Sequence, residues 1–78
     1  MKTQEFIHEF EENVVMVEKG TLSLETVLSE LEEWDSMAIV STIALFDQNF
    51  GIQISGEKIN SCKTLGDLVA LVKHKLED

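Results

Sequence analysis

The sequence predicts an all-α fold: four helices, three longer and one short, packed as a single domain over residues 1–78. Three observations carry this expectation. Apolar residues recur at three- and four-residue spacing along most of the chain, and clean alternation is scarce. Proline, internal repeats and low-complexity linkers are all absent. Capping and stop residues divide the chain at regular points. Seventy-eight residues are room for one domain, with a core that supports only a few kcal/mol of stability, roughly, unless something staples it. A single cysteine, Cys62, allows no internal disulfide, and Cys62, His8 and His74 are too few soft ligands for a zinc site.

The first helix is read from Gln4 to Val17, with Thr3 as its N-cap and Gly20 as the stop signal beyond it. Phe6, Phe10, Val14 and Val17 form its apolar stripe, with Ile7 alongside; Glu5, Glu9 and Glu12 take the wet side. Residues 21–35 form a long connection. Leu22, Leu24, Val27, Leu28, Leu31 and Trp34 make it too apolar for a free linker, so it must be pinned to the core. Ser23 could cap a short helix within it. The second helix is expected from Ser36 to Phe50, closed by Gly51. Ile39, Val40, Ile43, Phe46 and Phe50 are assigned inward, and Ala38, Ser41, Leu45 and Gln48 to the opposite, exposed face. Ile52 and Ile54 flank Gln53 in an extended stretch too short for a sheet. Ser55 caps a short third helix through Asn60. Thr64 and Asp67 sit three apart in a variant of the capping box and open the last helix. Leu65, Leu68, Val69, Val72 and Leu76 are its apolar side, and Lys73, His74 and Lys75 suit the negative end of its dipole.

The net charge of −9, with lysines the sole basic residues besides two histidines, argues against nucleic acid and anionic membrane surfaces as partners. It favours basic protein partners. Ten of the fifteen acids lie in residues 1–35, opposed there by Lys2 and Lys19 alone. No apolar run approaches the ~20 residues that span a bilayer, and no signal-peptide stretch opens the chain, so a cytoplasmic protein is expected. A lone thiol without a disulfide framework fits that compartment. Asp47-Gln48-Asn49-Phe50-Gly51 fails as a calcium loop, because Ile52 and Lys58 stand where glycine and glutamate are needed.

Asp35-Ser36-Met37 opening a helix, Phe50-Gly51-Ile52 one helix later, and Thr64-Leu65-Gly66-Asp67-Leu68 at the last cap together resemble the acyl carrier protein family. The triplet alone is common. Its spacing from Phe50-Gly51-Ile52, within a chain of this length, is what specifies the family. The resemblance covers the whole chain and implies a bundle of acyl-carrier type with a long first loop. It implies a covalent 4'-phosphopantetheine on Ser36, with Asp35 helping to present the serine and Met37 completing the triplet. The arm's thiol then holds acyl groups as thioesters. The chain itself would be no enzyme and would have neither catalytic residues nor a metal. The implied partners are a phosphopantetheinyl transferase and acyl ligase, synthase or acyltransferase enzymes of a fatty-acid, polyketide or other specialised pathway. The carrier is expected as a monomer, without membrane insertion.

Typical fatty-acid carriers show several acids on the exposed face of the second helix, whereas here Asp47 is the one acid within that helix. Partner docking is therefore expected to use apolar contact through Ala38, Ser41 and Leu45 beside Asp47, with acids supplied upstream by Glu30, Glu32 and Glu33. Asp-Ser-Met triplets also occur in carriers of amino acids such as D-alanyl carriers, so an aminoacyl cargo is an alternative. A second alternative is an acidic helical interaction module with no prosthetic group. Plainer roles compete for each residue: Ser36 as a simple N-cap, Asp35 as an acid favoured by a helix dipole, Trp34 and Met37 as packing, and the acidic runs as solvated faces.

Overall fold

The computed structural model describes residues 1–78, and it is all-α. Helix α1 spans Thr3–Asn13, α2 Ser36–Phe50, α3 Gly56–Asn60 and α4 Leu65–Leu71. Single 3-10 turns lie at Leu28–Glu30 and Lys73–Lys75. An isolated antiparallel bridge, Val27 to Thr64, is the only β-type pairing. No helix is long and apolar enough to cross a membrane.

One contiguous core joins all four helices and the long loop. Its centre is aromatic. Phe6 stacks on Phe46 with ring centroids 5.6 Å apart, and Phe10, Phe50 and Trp34 extend the cluster at 5.9–6.4 Å. Such pairs add about 0.5–1.5 kcal/mol each beyond the area they bury. Leu28 from the loop, Ile59 from α3 and Leu65, Leu68 and Val72 from the C-terminal part close around the rings, all without solvent exposure. The connection 21–35 is thus pinned as its composition predicted, with Leu22 and Leu28 buried and Leu31 and Trp34 half-buried. Its backbone is stitched to the start of α4. Leu28 N–H donates to the Lys63 carbonyl (2.9 Å), Leu65 N–H to Thr26 (3.0 Å) and Gly66 N–H to Leu24 (2.8 Å).

Local signals that one residue and its near neighbours decide are seen as expected. Gly51 closes α2 in the left-handed region at φ 66°. The Ser55 hydroxyl accepts from Lys58 N–H and caps α3. Thr64 and Asp67 form a reciprocal capping box at α4. The Asp67 carboxylate also accepts from Lys63 N–H, and these backbone donors hold its pKa below the ordinary aspartate range.

Four expectations need correction. First, α1 stops at Asn13, not Val17, and its N-cap is Lys2, so Thr3 lies inside the helix. The reason is Glu11. Its side chain is fully buried and accepts from Gly20 N–H (3.0 and 3.1 Å) and Leu22 N–H (2.8 Å), drawing the loop back beneath the helix. Met16 takes a positive φ of 52° to make the turn. Second, Ser23 caps no helix through its side chain; its N–H donates to the Thr26 hydroxyl. Third, α4 ends at Leu71, and Lys73, His74 and Lys75 form the separate 3-10 turn. Fourth, α2 is rotated from the expected phase. Ala38 (3 % exposed), Thr42, Leu45 (6 %) and Phe46 face the core, while Val40, expected inward, is 58 % exposed. Apolar residues fall on every side of α2 and Asp47 is its only charge, so periodicity offers no unique face, and packing on α1, with Phe46 and Phe50 against Phe6, decides it.

Candidate functional site

The first turn of α2 carries a division of labour between two neighbouring residues. Asp35, in extended conformation, is the N-cap, and its Oδ1 accepts from Ala38 N–H at 2.9 Å. An N-cap of this kind satisfies one of the four N–H groups that a helix start leaves unpaired. Ser36 is therefore the first helical residue and not the cap. Its side chain is exposed and its hydroxyl makes no hydrogen bond within the chain. The N–H groups of Ser36 and Met37 are likewise unpartnered, next to that hydroxyl at the positive end of a fifteen-residue helix. A nucleophilic oxygen in this position is accessible, unencumbered and surrounded by features that favour a negative substituent.

Beside Ser36 runs an open groove of about 580 Å³ between α2 and α3. Trp34, Ile39, Val40, Ile43 and Gly56 line it, and Asp35, Glu57 and Asn60 add polar groups to the lining. Trp34 links the site to the core through Phe10. On the far side of Trp34 and Asn60 lies a second groove that includes Cys62. Burial, and then the nearby Asp67 charge, push the Cys62 thiol above its ordinary pKa, so it is not an activated nucleophile. No set of three or more His, Cys, Asp or Glu side chains converges as a metal site.

The sequence-predicted residues separate into two groups. Asp35, Ser36 and Met37 come together at the α2 start, with Met37 71 % exposed. Glu30, Glu32 and Glu33 are exposed on the loop just before it, and Asp47 is exposed three turns along α2. Ala38 and Leu45 do not belong to this surface: both are core. Ser41 is half-buried and lines a different groove, between α1 and α2. The face that α2 presents to solvent is instead Met37, Val40, Ala44, Asp47 and Gln48, at i, i+3, i+7, i+10 and i+11. Two residues of the site escaped the sequence reading. Val40 was hidden by the wrong helix phase. Gly56 lay inside a helix whose cap was recognised, with no turn or breaker role to draw notice.

Comparison with known proteins bears on this geometry. Residues 6–72 match the family described as phosphopantetheine attachment site. The fold is similar to the solution structure of a holo acyl carrier protein from Nitrosomonas europaea, at 30% identity and a TM-score of 0.72, covering 96% of each chain. A holo acyl carrier protein from Geobacter metallireducens has the same fold, at 24% identity and a TM-score of 0.72, covering 96% of this chain and 86% of that one. The chain belongs to the phosphopantetheine-binding acyl carrier family, and its cofactor is a covalently attached phosphopantetheine. Members of the family are carriers and not enzymes. The residues at the α2 start fit such a group: a free hydroxyl, two unpartnered N–H groups and an apolar groove leading away.

Proposed function

We propose that residues 1–78 act as one carrier domain that bears its phosphopantetheine on Ser36 and presents acyl groups to partner enzymes. The observation that carries this reading is the exposed Ser36 hydroxyl, freed of capping duty by Asp35. The arm supplies a thiol on which acyl groups are held as thioesters. Everything else falls to the chain's own residues. Asp35 fixes the first turn, so that the Ser36 Oγ is held at a defined point outside the bundle. The N–H groups of Ser36 and Met37 favour the phosphodiester's negative charge. The aromatic core holds α2 rigidly behind them.

The partners in this reading are a phosphopantetheinyl transferase and acyl ligase, synthase or acyltransferase enzymes. They dock on the exposed strip Met37, Val40, Ala44, Asp47 and Gln48, and Glu30, Glu32 and Glu33 steer basic surfaces towards it. Met37 and Val40 support a predominantly apolar contact, because they are large, exposed and adjacent on the helix face. A specialised pathway, fatty-acid, polyketide or other, suits this departure from an acid-lined face. The lone thiol with no disulfide partner supports a reducing, cytoplasmic setting, and the chain works as a monomer.

The test is intact mass after incubation with coenzyme A, magnesium and a broad-specificity phosphopantetheinyl transferase, beside Ser36→Ala. Wild type is expected to gain one phosphopantetheinyl group and Ser36→Ala none. Gain in the variant would move the site elsewhere. No gain in a folded wild type, with an active control, would put an acidic interaction module in the carrier's place.

A further inference from the structure

The chain holds three methionines in three settings. Met1 is partly buried and packs against the core. Met16 is 79 % exposed, on the turn that follows α1. Met37 is nearly as exposed and directly follows Ser36. With Val40, one helix turn on, it forms an exposed apolar ridge beside the Ser36 position. Nothing in the bundle depends on the Met37 side chain: it takes no part in the core, and the first turn of α2 is fixed by Asp35 through Ala38 N–H instead. A chemical change at its sulfur therefore alters the surface beside Ser36 and leaves the fold alone.

We propose that Met37 is a redox switch on attachment of the arm: a hydroperoxide oxidises its thioether to the sulfoxide, which weakens the transferase contact until it is reduced again. The proposal rests on the carrier reading above and adds a regulation of that same site. In the step, the thioether sulfur attacks the terminal oxygen of the peroxide, an S–O bond forms and the O–O bond breaks. The sulfur loses two electrons and the peroxide gains them. The departing oxygen takes the peroxide's own proton and leaves as water or an alcohol. Reduction by a dithiol returns the thioether and yields one water and one disulfide. Two features select the oxidant and the residue. Glu30, Glu32, Glu33 and Asp35 are exposed just upstream, and their field repels anionic oxidants while neutral hydroperoxides approach freely. The rival sulfur, Cys62, is half-buried, and burial together with the Asp67 charge keeps it a thiol and not the reactive thiolate. Before attachment there is no arm thiol to react first. Once oxidised, Met37 presents a polar oxygen where the docking strip offers hydrocarbon, so the contact must desolvate a polar group that gains no partner.

The experiment treats the protein, before any arm is attached, with hydrogen peroxide, removes the excess with catalase and locates each sulfoxide by peptide mass. Transfer from coenzyme A by a broad-specificity phosphopantetheinyl transferase is then followed by intact mass over a range of carrier concentrations. In wild type, oxidation is expected to raise KM about tenfold and to leave kcat within about twofold, as loss of a docking contact requires. Met16→Leu, in which Met37 is the one exposed thioether, should show the same rise. Met37→Leu, compared with itself before and after treatment, should show no change although Met16 is oxidised. Methionine sulfoxide reductases of both stereospecificities, supplied with a dithiol, should restore the wild-type KM. The circular dichroism of each treated protein should match its untreated form. An unaltered KM with Met37 fully oxidised, the same rise in treated Met37→Leu, Met37 left intact while Met16 reacts, or a loss of helicity alongside the rise would each overturn the proposal. Failure of the carrier reading is distinguished before any oxidation, since the untreated protein would then gain no mass.

Discussion

Two seams of the bundle are built on opposite plans. The long loop meets the start of α4 through three backbone hydrogen bonds of 2.8–3.0 Å, and Gly66 lets the strands of chain approach until a Cβ would collide with Leu24. Helices α2 and α3 pack through side chains alone. No backbone hydrogen bond joins them, and their seam opens as the groove beside Ser36. Backbone hydrogen bonds fix a separation to within tenths of an ångström, whereas side-chain contacts tolerate adjustment. On the carrier reading proposed above, Ser36 sits against the adjustable seam, and the rigid one keeps the long loop from wandering across it.

The largest effect should come from unpicking the rigid side at its root. Glu11→Ala removes the acceptor for Gly20 and Leu22 N–H and leaves the latter buried without a partner. Hydrogen bonds to charged acceptors contribute about 1.5–3 kcal/mol each, and a loss near 3 kcal/mol is expected in urea unfolding. In a domain of this size that is a large share of total stability. A loss under about 1 kcal/mol would mean that water replaces the carboxylate and that Glu11 is not the anchor of the loop. Gly66→Ala comes next. Its new methyl must push back a carbonyl and not a flexible side-chain end, at a cost of about 1–3 kcal/mol. Gly56→Ala should change stability in the opposite direction, because its Cβ would meet Ile39 and Ile43 at ordinary contact distances and alanine is the better helix former. If both alanines shift the unfolding midpoint alike, the contrast between closed and open seams is wrong.

The parts of this design that were legible in the sequence are those that neighbours decide. Ser55, Gly51 and the Thr64–Asp67 box follow from the chemistry of a single turn, and each was read correctly. The stripe of α1 was legible because Glu5, Glu9 and Glu12 mark its wet side. In α2 that mark is missing: Asp47 is its only charged residue, so the spacing points Ala38 and Leu45 to solvent and Val40 to the core, the reverse of the structure. Glu11 was one acid among ten in the first thirty-five residues. Nothing local separates it from Glu9 or Glu12, because its partners lie nine and eleven residues away. Ser36 is singled out as the candidate site by a family resemblance in the sequence, yet the way Asp35 relieves it of capping emerges only from the structure.

That relief gives the smallest and most discriminating comparison, within one turn of helix. Asp35→Ala deletes the cap and should lower stability by about 1 kcal/mol. Ser36→Ala removes a hydroxyl with no internal partner and should change stability by less than about 0.5 kcal/mol, while abolishing modification. Asp35→Asn preserves an acceptor oxygen for Ala38 N–H but removes the charge, so it should unfold close to wild type. Slower loading of this variant by the transferase would then report the charge of Asp35 and not the geometry of the turn. Unchanged loading would reduce Asp35 to a cap. A Ser36→Ala protein as unstable as Asp35→Ala would show that the two residues share the cap, and the serine would no longer be free for chemistry at no cost to the fold.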